Sequence, residues 1–164
     1  PDNWLENGVP TSNIPGPSDD VIFDSNAVNN CIINKDINIH SLYISAEYLL
    51  EVIIPVDINV YISGNLTIED NLFLSVWNNS GNIIFNGTGN QIISIETHSD
   101  WPFYNFTIDK PSGIVILDSD ITISNEFNLI SGSLDCNGFL GPCPPSCTPP
   151  QTGGIYHIGN NFAF

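Results

Sequence analysis

A short apolar–polar–apolar triplet, flanked by Asn, Ser, Thr or Asp, keeps returning along this chain. It appears as Ser41-Leu42-Tyr43-Ile44-Ser45, Asn65-Leu66-Thr67-Ile68-Glu69, Asn105-Phe106-Thr107-Ile108-Asp109 and Asp120-Ile121-Thr122-Ile123-Ser124. Side chains alternate across a strand, so each copy reads as a β-strand with one apolar face and one face of hydroxyls or amides. Helix signals are nearly absent, and the best window, Ala46-Glu47-Tyr48-Leu49-Leu50, is too short. Many short strands with loose self-similarity predict an all-β fold built as a coiled stack, a parallel β-helix or β-solenoid. A β-sandwich is the architectural alternative.

Composition sharpens this expectation. The chain has 164 residues, among them 25 isoleucines and 22 asparagines. Isoleucine fills a pleated, half-buried surface, and asparagine suits turns and stacks in hydrogen-bonded ladders when equivalent positions lie one rung apart. A solenoid uses both, whereas a sandwich needs mainly the first. The triplets are separated by 24 residues (Leu42 to Leu66), 40 (Leu66 to Phe106) and 15 (Phe106 to Ile121). A rung of roughly 20–25 residues accommodates them if a long excursion near His98-Ser99-Asp100-Trp101-Pro102 is allowed.

The strand candidates run 21–23, 31–34, 37–45, 49–54, 58–62, 65–69, 71–77, 82–86, 91–96, 103–109, 114–117, 120–124, 127–130 and 133–136, broken by Asn, Asp, Gly, Pro or Ser. Residues 1–20 read as an irregular lead-in and N-terminal cap, with Trp4 folded over the open end of the stack, because an uncapped end exposes core and strand edge. Residues 21–139 form the solenoid. Residues 140–164 form a Cys/Pro-rich C-terminal cap or a linker to a next module.

Eighteen acidic residues face two lysines, Lys35 and Lys110, and no arginine, for a net charge of −16. Phosphate backbones bind through Lys and Arg, so nucleic acid is excluded as a partner, and anionic membrane surfaces are disfavoured for the same reason. No apolar run reaches the ~20 residues that span a bilayer, so membrane insertion is not expected. The start at Pro1 reads as a processed mature chain or a piece of something larger.

Four cysteines occur, Cys31 alone and Cys136, Cys143 and Cys147 together in a Pro/Gly-rich stretch. An even count in a loop that cannot form regular structure favours a disulfide staple and an extracellular setting. Cys143–Cys147 and Cys136–Cys143 are the local pairings. A zinc site from the three clustered cysteines and His157 is the minor alternative. The four N-glycosylation sequons at Asn65, Asn78, Asn86 and Asn105 are about what an Asn-rich chain gives by chance.

Several stretches together resemble the parallel β-helix modules of large secreted and cell-surface, adhesin-like proteins of Bacteroidota. They are Trp4 with Val9-Pro10-Thr11-Ser12-Asn13 and Asp19-Asp20-Val21-Ile22-Phe23, then Phe85-Asn86-Gly87-Thr88-Gly89-Asn90-Gln91-Ile92-Ile93, then Phe103-Tyr104-Asn105-Phe106-Thr107-Ile108-Asp109-Lys110, and finally Ile130-Ser131-Gly132-Ser133-Leu134-Asp135-Cys136-Asn137-Gly138. The likeness covers roughly residues 4–139 and rests on fold-shaping motifs. It implies a surface-exposed or secreted repeat module. The segment 136–150 and the tail Gly153-Gly154-Ile155-Tyr156-His157 depart from it.

Candidate chemistry is sparse. Polysaccharide lyases of the pectate type resemble this fold but use an Arg base, and this chain has none. A glycosidase needs two carboxylates flanking a cleft. Asp118 and Asp120, two apart and able to share a side, are the only such pair singled out, and His40, His98 and His157 have no partners for a nucleophilic triad. Calcium is the better chemical expectation, at Asp19, Asp20 and Asp24 near the cap, at Glu69 and Asp70, and at Asp118 and Asp120. None of these matches a Ca²⁺ loop signature. Tyr43, Trp77 and Trp101, with Tyr61 and Tyr104, would face glycans if exposed. The expected function is therefore non-catalytic: a structural or adhesive extracellular module of a surface fibre, stalk or filament, partnered by further copies of itself or by tandem modules. Glycan binding is the competing expectation.

Overall fold

The structure is a computed structural model. It describes residues 4–6, 9–69, 77–96, 102–119, 121–136, 151–152 and 156–158, with side chains placed over 12–69, 80–96, 103–119 and 121–136. Among these residues there is no helix. The chain opens with a hairpin, β1 (Trp4–Glu6) and β2 (Val9–Thr11), which pair antiparallel with each other and join none of the other sheets. The lead-in is thus partly regular. Its role as a cap, and the placement of the Trp4 ring, lie outside the described side chains.

A continuous wind of parallel strands then begins. Strands β3 (Val21–Phe23), β4 (Cys31–Ile32) and β5 (Ile37–Ile39) form the first turn, and β6 (Leu42–Ile44), β7 (Val52–Ile54) and β8 (Asn59–Ile62) the second. The third turn holds β9 (Leu66–Ile68), β10 (Trp77–Asn79) and β11 (Asn82–Phe85). Next come β12 (Gln91–Ile95), β13 (Pro102–Asp109), β14 (Val115–Leu117), β15 (Ile121–Ser131) and β16 (Leu134–Asp135). Short β17 (Gln151–Thr152) and β18 (Tyr156–Ile158) follow.

Every pairing within the wind is parallel, as a coil that always advances in one direction requires. A first face stacks β3-β6-β9-β12-β14-β16, a second stacks β4-β7-β10, and a third stacks β5-β8-β11-β13-β15. This is a parallel β-solenoid. The sandwich alternative falls, because a sandwich of antiparallel sheets would show antiparallel ladders here.

Alternation places the core. Val21, Leu42, Leu66, Ile93 and Leu117 share one inward column, and Ile37, Val60, Ile83 and Phe106 another; all are buried. Phe106 packs its ring against Phe85, Phe103 and Phe127 at centroid distances of 5.2–5.6 Å. On the third face the register advances by 23 residues each time, from Ile37 to Val60 to Ile83 to Phe106. On the first face it advances by 21, 24, 27 and 24.

The structure therefore reorders the repeat. Asn65-Leu66-Thr67-Ile68 lies on the first face and Asn105-Phe106-Thr107-Ile108 on the third. Their 40-residue separation is one turn plus part of another, not a rung with an excursion. The candidate strand 37–45 is also two strands, broken at His40-Ser41 where the wind turns from third face to first. Conversely, the candidate 120–124, from Ile121 onward, and 127–130 are parts of a single long β15, whose register with β13 slips between Phe103 and Asn105 and between Ile108 and Asp109. The two ends differ. At the start β3, β4 and β5 each end their sheets, while at the other end β17 and β18 run antiparallel beside β15.

Candidate functional site

Three corners join the faces, and each gathers its own chemistry because equivalent residues of successive turns lie one above another. At the corner leading into the third face, asparagines form a ladder. Asn59 donates its Nδ2 to Asp36 Oδ2 at 3.1 Å and its backbone N–H to Asp36 Oδ1 at 2.8 Å. Asn82 Nδ2 reaches Asn59 Oδ1 at 3.4 Å, Thr107 Oγ1 donates to Asn82 Oδ1 at 3.0 Å, and Asn125 Nδ2 donates to Asn105 Oδ1 at 2.7 Å. The backbone and side-chain hydrogen bonds from Asn59 hold the Asp36 carboxyl below its ordinary range. The ladder is structural.

At the corner leaving the first face, the residues are acidic. The Ser45, Glu69 and Glu96 backbone N–H groups donate to Phe23, Ile44 and Ile68 carbonyls of the turn below, so Asp24, Ser45, Glu69 and Glu96 stack as a column. Tyr43 projects outward beside it, half-buried, and its hydroxyl donates a short hydrogen bond to Glu69 Oε1. Glu69 Oε2 accepts the Ala46 N–H at 3.1 Å. The Tyr43 hydroxyl and the Ala46 N–H keep the Glu69 carboxyl below its usual value, and that carboxylate in turn raises the Tyr43 phenol.

The third corner, between third and first faces, holds a triplet that sequence reading passed over. Asp20 Oδ1 lies 2.7 Å from His40 Nδ1, and Ser41 Oγ lies 3.3 Å from the same nitrogen. A Ser–His–Asp triad needs its acid and its nucleophile on opposite ring nitrogens, so that the base can take the hydroxyl proton while the carboxylate orients the ring. Here both crowd Nδ1, and Ser41 Oγ also accepts the Asn65 N–H at 3.2 Å. His40 and Asp20 are more than half exposed. The arrangement is a surface pair, and the hydrogen bond from His40 lowers the Asp20 carboxyl. Its signal in sequence was the 21-residue step from Val21 to Leu42, which sets Asp20 beside Ser41.

The predicted calcium ligands scatter. Asp19 accepts the Gly16 N–H at 2.7 Å, Asp24 accepts both the backbone and side-chain N–H of Asn26, and Asp118 is exposed after β14, on the same face but further along the stack, while Asp120 and Asp70 lie outside the described residues. Among the described residues, no three His, Cys, Asp or Glu side chains converge as a metal site would require. Of the aromatic candidates, Tyr43 lies part-buried on the outer face, Trp77 opens β10 in register with Val52, and Trp101 lies outside the described residues. Tyr61 and Tyr104 are half-buried.

Cys31 is a free thiol buried in the core, and burial pushes it up to about 11. Such a thiol is protonated and inert. Cys136 packs part-buried against the core after β16, and Cys143 and Cys147 lie outside the described residues with His98, Asp100 and the zinc alternative's His157 side chain. No helix among the described residues is long and apolar enough to cross a membrane. Comparison with known proteins finds no family model, no curated sequence and no solved structure that matches the chain.

Proposed function

We propose that the chain is a non-catalytic structural or adhesive module of an extracellular surface fibre, stalk or filament. The observation that carries this reading is the continuous parallel stack itself, whose first-turn strands β3, β4 and β5 each end their sheets with backbone groups of the kind another strand recognises. Parallel ladders along three faces make a stiff rod. The acidic surface keeps separate copies apart until they are linked in one chain or brought together by cations. The Ser41, His40 and Asp20 geometry does not suit a triad, which is in keeping with a non-catalytic role. The resemblance to Bacteroidota adhesin-like modules points the same way.

Light scattering over a concentration series, with calcium and with chelator, tests the reading. Growth into elongated particles supports a filament subunit, and calcium dependence ties the acidic corner to assembly. A monomer throughout overturns self-assembly of the isolated chain.

One observation favours a second reading, glycan binding. The outward Tyr43 ring is fixed by Glu69 beside the outward Thr67, one rung above, and ring planes held beside hydroxyls suit sugar stacking. Loss of sugar retention in affinity electrophoresis on Tyr43→Ala would establish it.

A further inference from the structure

Two residues beyond the inward Ile39, Ile62, Phe85 and Ile108 come Ser41, Gly64, Gly87 and Lys110, each 23 residues after the one before. The glycines are required by space. A Cβ on Gly87 would stand 1.9 Å from the Ser63 carbonyl oxygen, and one on Gly64 would stand 2.3 Å from Ser41 Oγ. With no side chains at 64 and 87, the inside of the corner is filled from above. Gln91, fully buried, donates Nε2 to the Ile62 and Gly64 carbonyls at 2.9 and 2.5 Å, and its Oε1 accepts the Gly87 N–H at 2.8 Å.

Lys110 then enters from the next turn. It continues the inward alternation of Phe106 and Ile108 and is only 1% exposed. Its Nζ donates to Gly87 O and Gly89 O at 2.8 Å each and to Gln91 Oε1 at 2.5 Å, which uses all three ammonium protons. Above it, Gly132 sits at φ 95°, where a Cβ would lie 2.9 Å from Lys110 Cβ.

What is missing from this pocket, among the described residues, is a carboxylate. The stretches that build it, 62–65, 86–91, 111–114 and 131–133, contain no charged residue, in a chain with eighteen acids. Asp109, next in sequence, is exposed and takes up the Ser131 hydroxyl instead. Buried lysines ordinarily have a carboxylate partner. An ammonium surrounded by neutral carbonyl oxygens is instead the coordination of a bound monovalent cation, with the charge offset by dipoles already fixed in place. Desolvation by this surrounding lowers the Lys110 amine from its ordinary value.

We propose that the corner lined by Gly87 O, Gly89 O and Gln91 Oε1 is a cage for a monovalent ammonium-type cation, and that Lys110 is its permanently tethered occupant. The cage ties three successive turns: Lys110 of one holds Gly87, Gly89 and Gln91 of the turn below, and Gln91 holds Ile62 and Gly64 of the turn below that. It lies where the wind changes, since β13 slips register with β15 next to it and β15 is much longer than the strands stacked earlier on that face. The tether thus anchors the last regularly stacked turn, on which the irregular β15 is laid.

The test is thermal unfolding of Lys110→Met and Lys110→Ala. Met fills similar volume with no donor and leaves the carbonyls buried and unbonded, so the midpoint falls by about 10 °C. Ala opens the cage to a free cation. Its midpoint rises in ammonium or methylammonium chloride relative to equal tetramethylammonium chloride, while the wild type shows no such preference. A Met variant that melts within about 2 °C of wild type, or an Ala variant indifferent to ammonium, overturns the proposal. Should neither variant fold, the wild-type chain supplies the reading through ¹⁵N NMR of its two lysine side chains. One charged –NH₃⁺ protected from solvent exchange at neutral pH supports the cage. Two freely exchanging amines, or an uncharged buried one, overturn it.

Discussion

The corner after the first face and the later turns of the corner before it, past the exposed Asp20–His40 pair, are built from the same rung geometry, yet one is acidic and open, the other neutral inside and closed. After the first face, Asp24, Glu69 and Glu96 stack with their like charges in water, softened by the Ser45 between them and by the Tyr43 hydroxyl. Before it, glycines bring the backbone close, and the polar work is done inside by Gln91 and Lys110. In the open corner each carboxylate keeps its hydration, so stacking costs little and contributes little. In the closed one a buried polar atom left without a protein partner is costly, so each contact matters. Equivalent positions in a solenoid therefore differ in energetic weight according to whether water reaches them.

Three measurements sharpen or break that contrast. The largest effect is expected at Gly87. Alanine there drives its Cβ into the Ser63 carbonyl, which is backbone and cannot swing aside, so Gly87→Ala should lose about 3 kcal/mol or more in denaturant unfolding. Gly89, with open space around it in the same loop, supplies the control, and Gly89→Ala should stay within about 0.5 kcal/mol of wild type. Equal losses at the two positions would break the contrast.

An intermediate effect is expected in the asparagine ladder. Asn82→Ala removes the rung joining Asn59 to Thr107, both half-buried or more, and should cost about 1–2 kcal/mol by the same unfolding measurement.

The smallest effect lies in the acidic corner. Glu69→Gln should change stability by less than about 1 kcal/mol at neutral pH. The Glu69 carboxyl is depressed in the folded chain, so the unfolded chain binds its proton more tightly. Its contribution is therefore fully present above the ordinary value of 4.5 and fades as pH falls through the lower folded value. Unfolding followed between pH 7 and 3 should show a shallower acid loss in the Gln variant. A steeper one would mean that repulsion from Glu96 outweighs the Tyr43 and Ala46 hydrogen bonds.

Much of the fold was legible in advance. Alternation around Leu42, Leu66, Phe106 and Ile121 marked strands with one apolar face, and the excess of asparagine anticipated the ladder through Asn59, Asn82 and Asn105. The register was not legible. The triplets at Leu66 and Phe106 look alike because any strand with one buried face looks alike, and nothing local says that one belongs to the first face and the other to the third. The candidate sites suffered in the same way. Asp20 meets His40, and Tyr43 meets Glu69, across 20 and 26 residues, separations that acquire meaning only once the turn length is known. The 23-residue step from Gly64 to Gly87 to Lys110 was present in the sequence. It could have revealed the closed corner, had the lysine been read as the third member of a glycine column.

The sequence by itself determined that this chain forms short strands with a polar outer face and carries a strong net negative charge, because these follow from residue type and period-2 alternation alone. Only the tertiary structure decided which triplets share a face, that Ser41, His40 and Asp20 crowd one ring nitrogen, and that one of two lysines is buried among carbonyl oxygens. Those outcomes depend on which turns lie above one another. That is set by the summed packing of Ile, Leu and Phe columns through the whole stack, and no local segment encodes it.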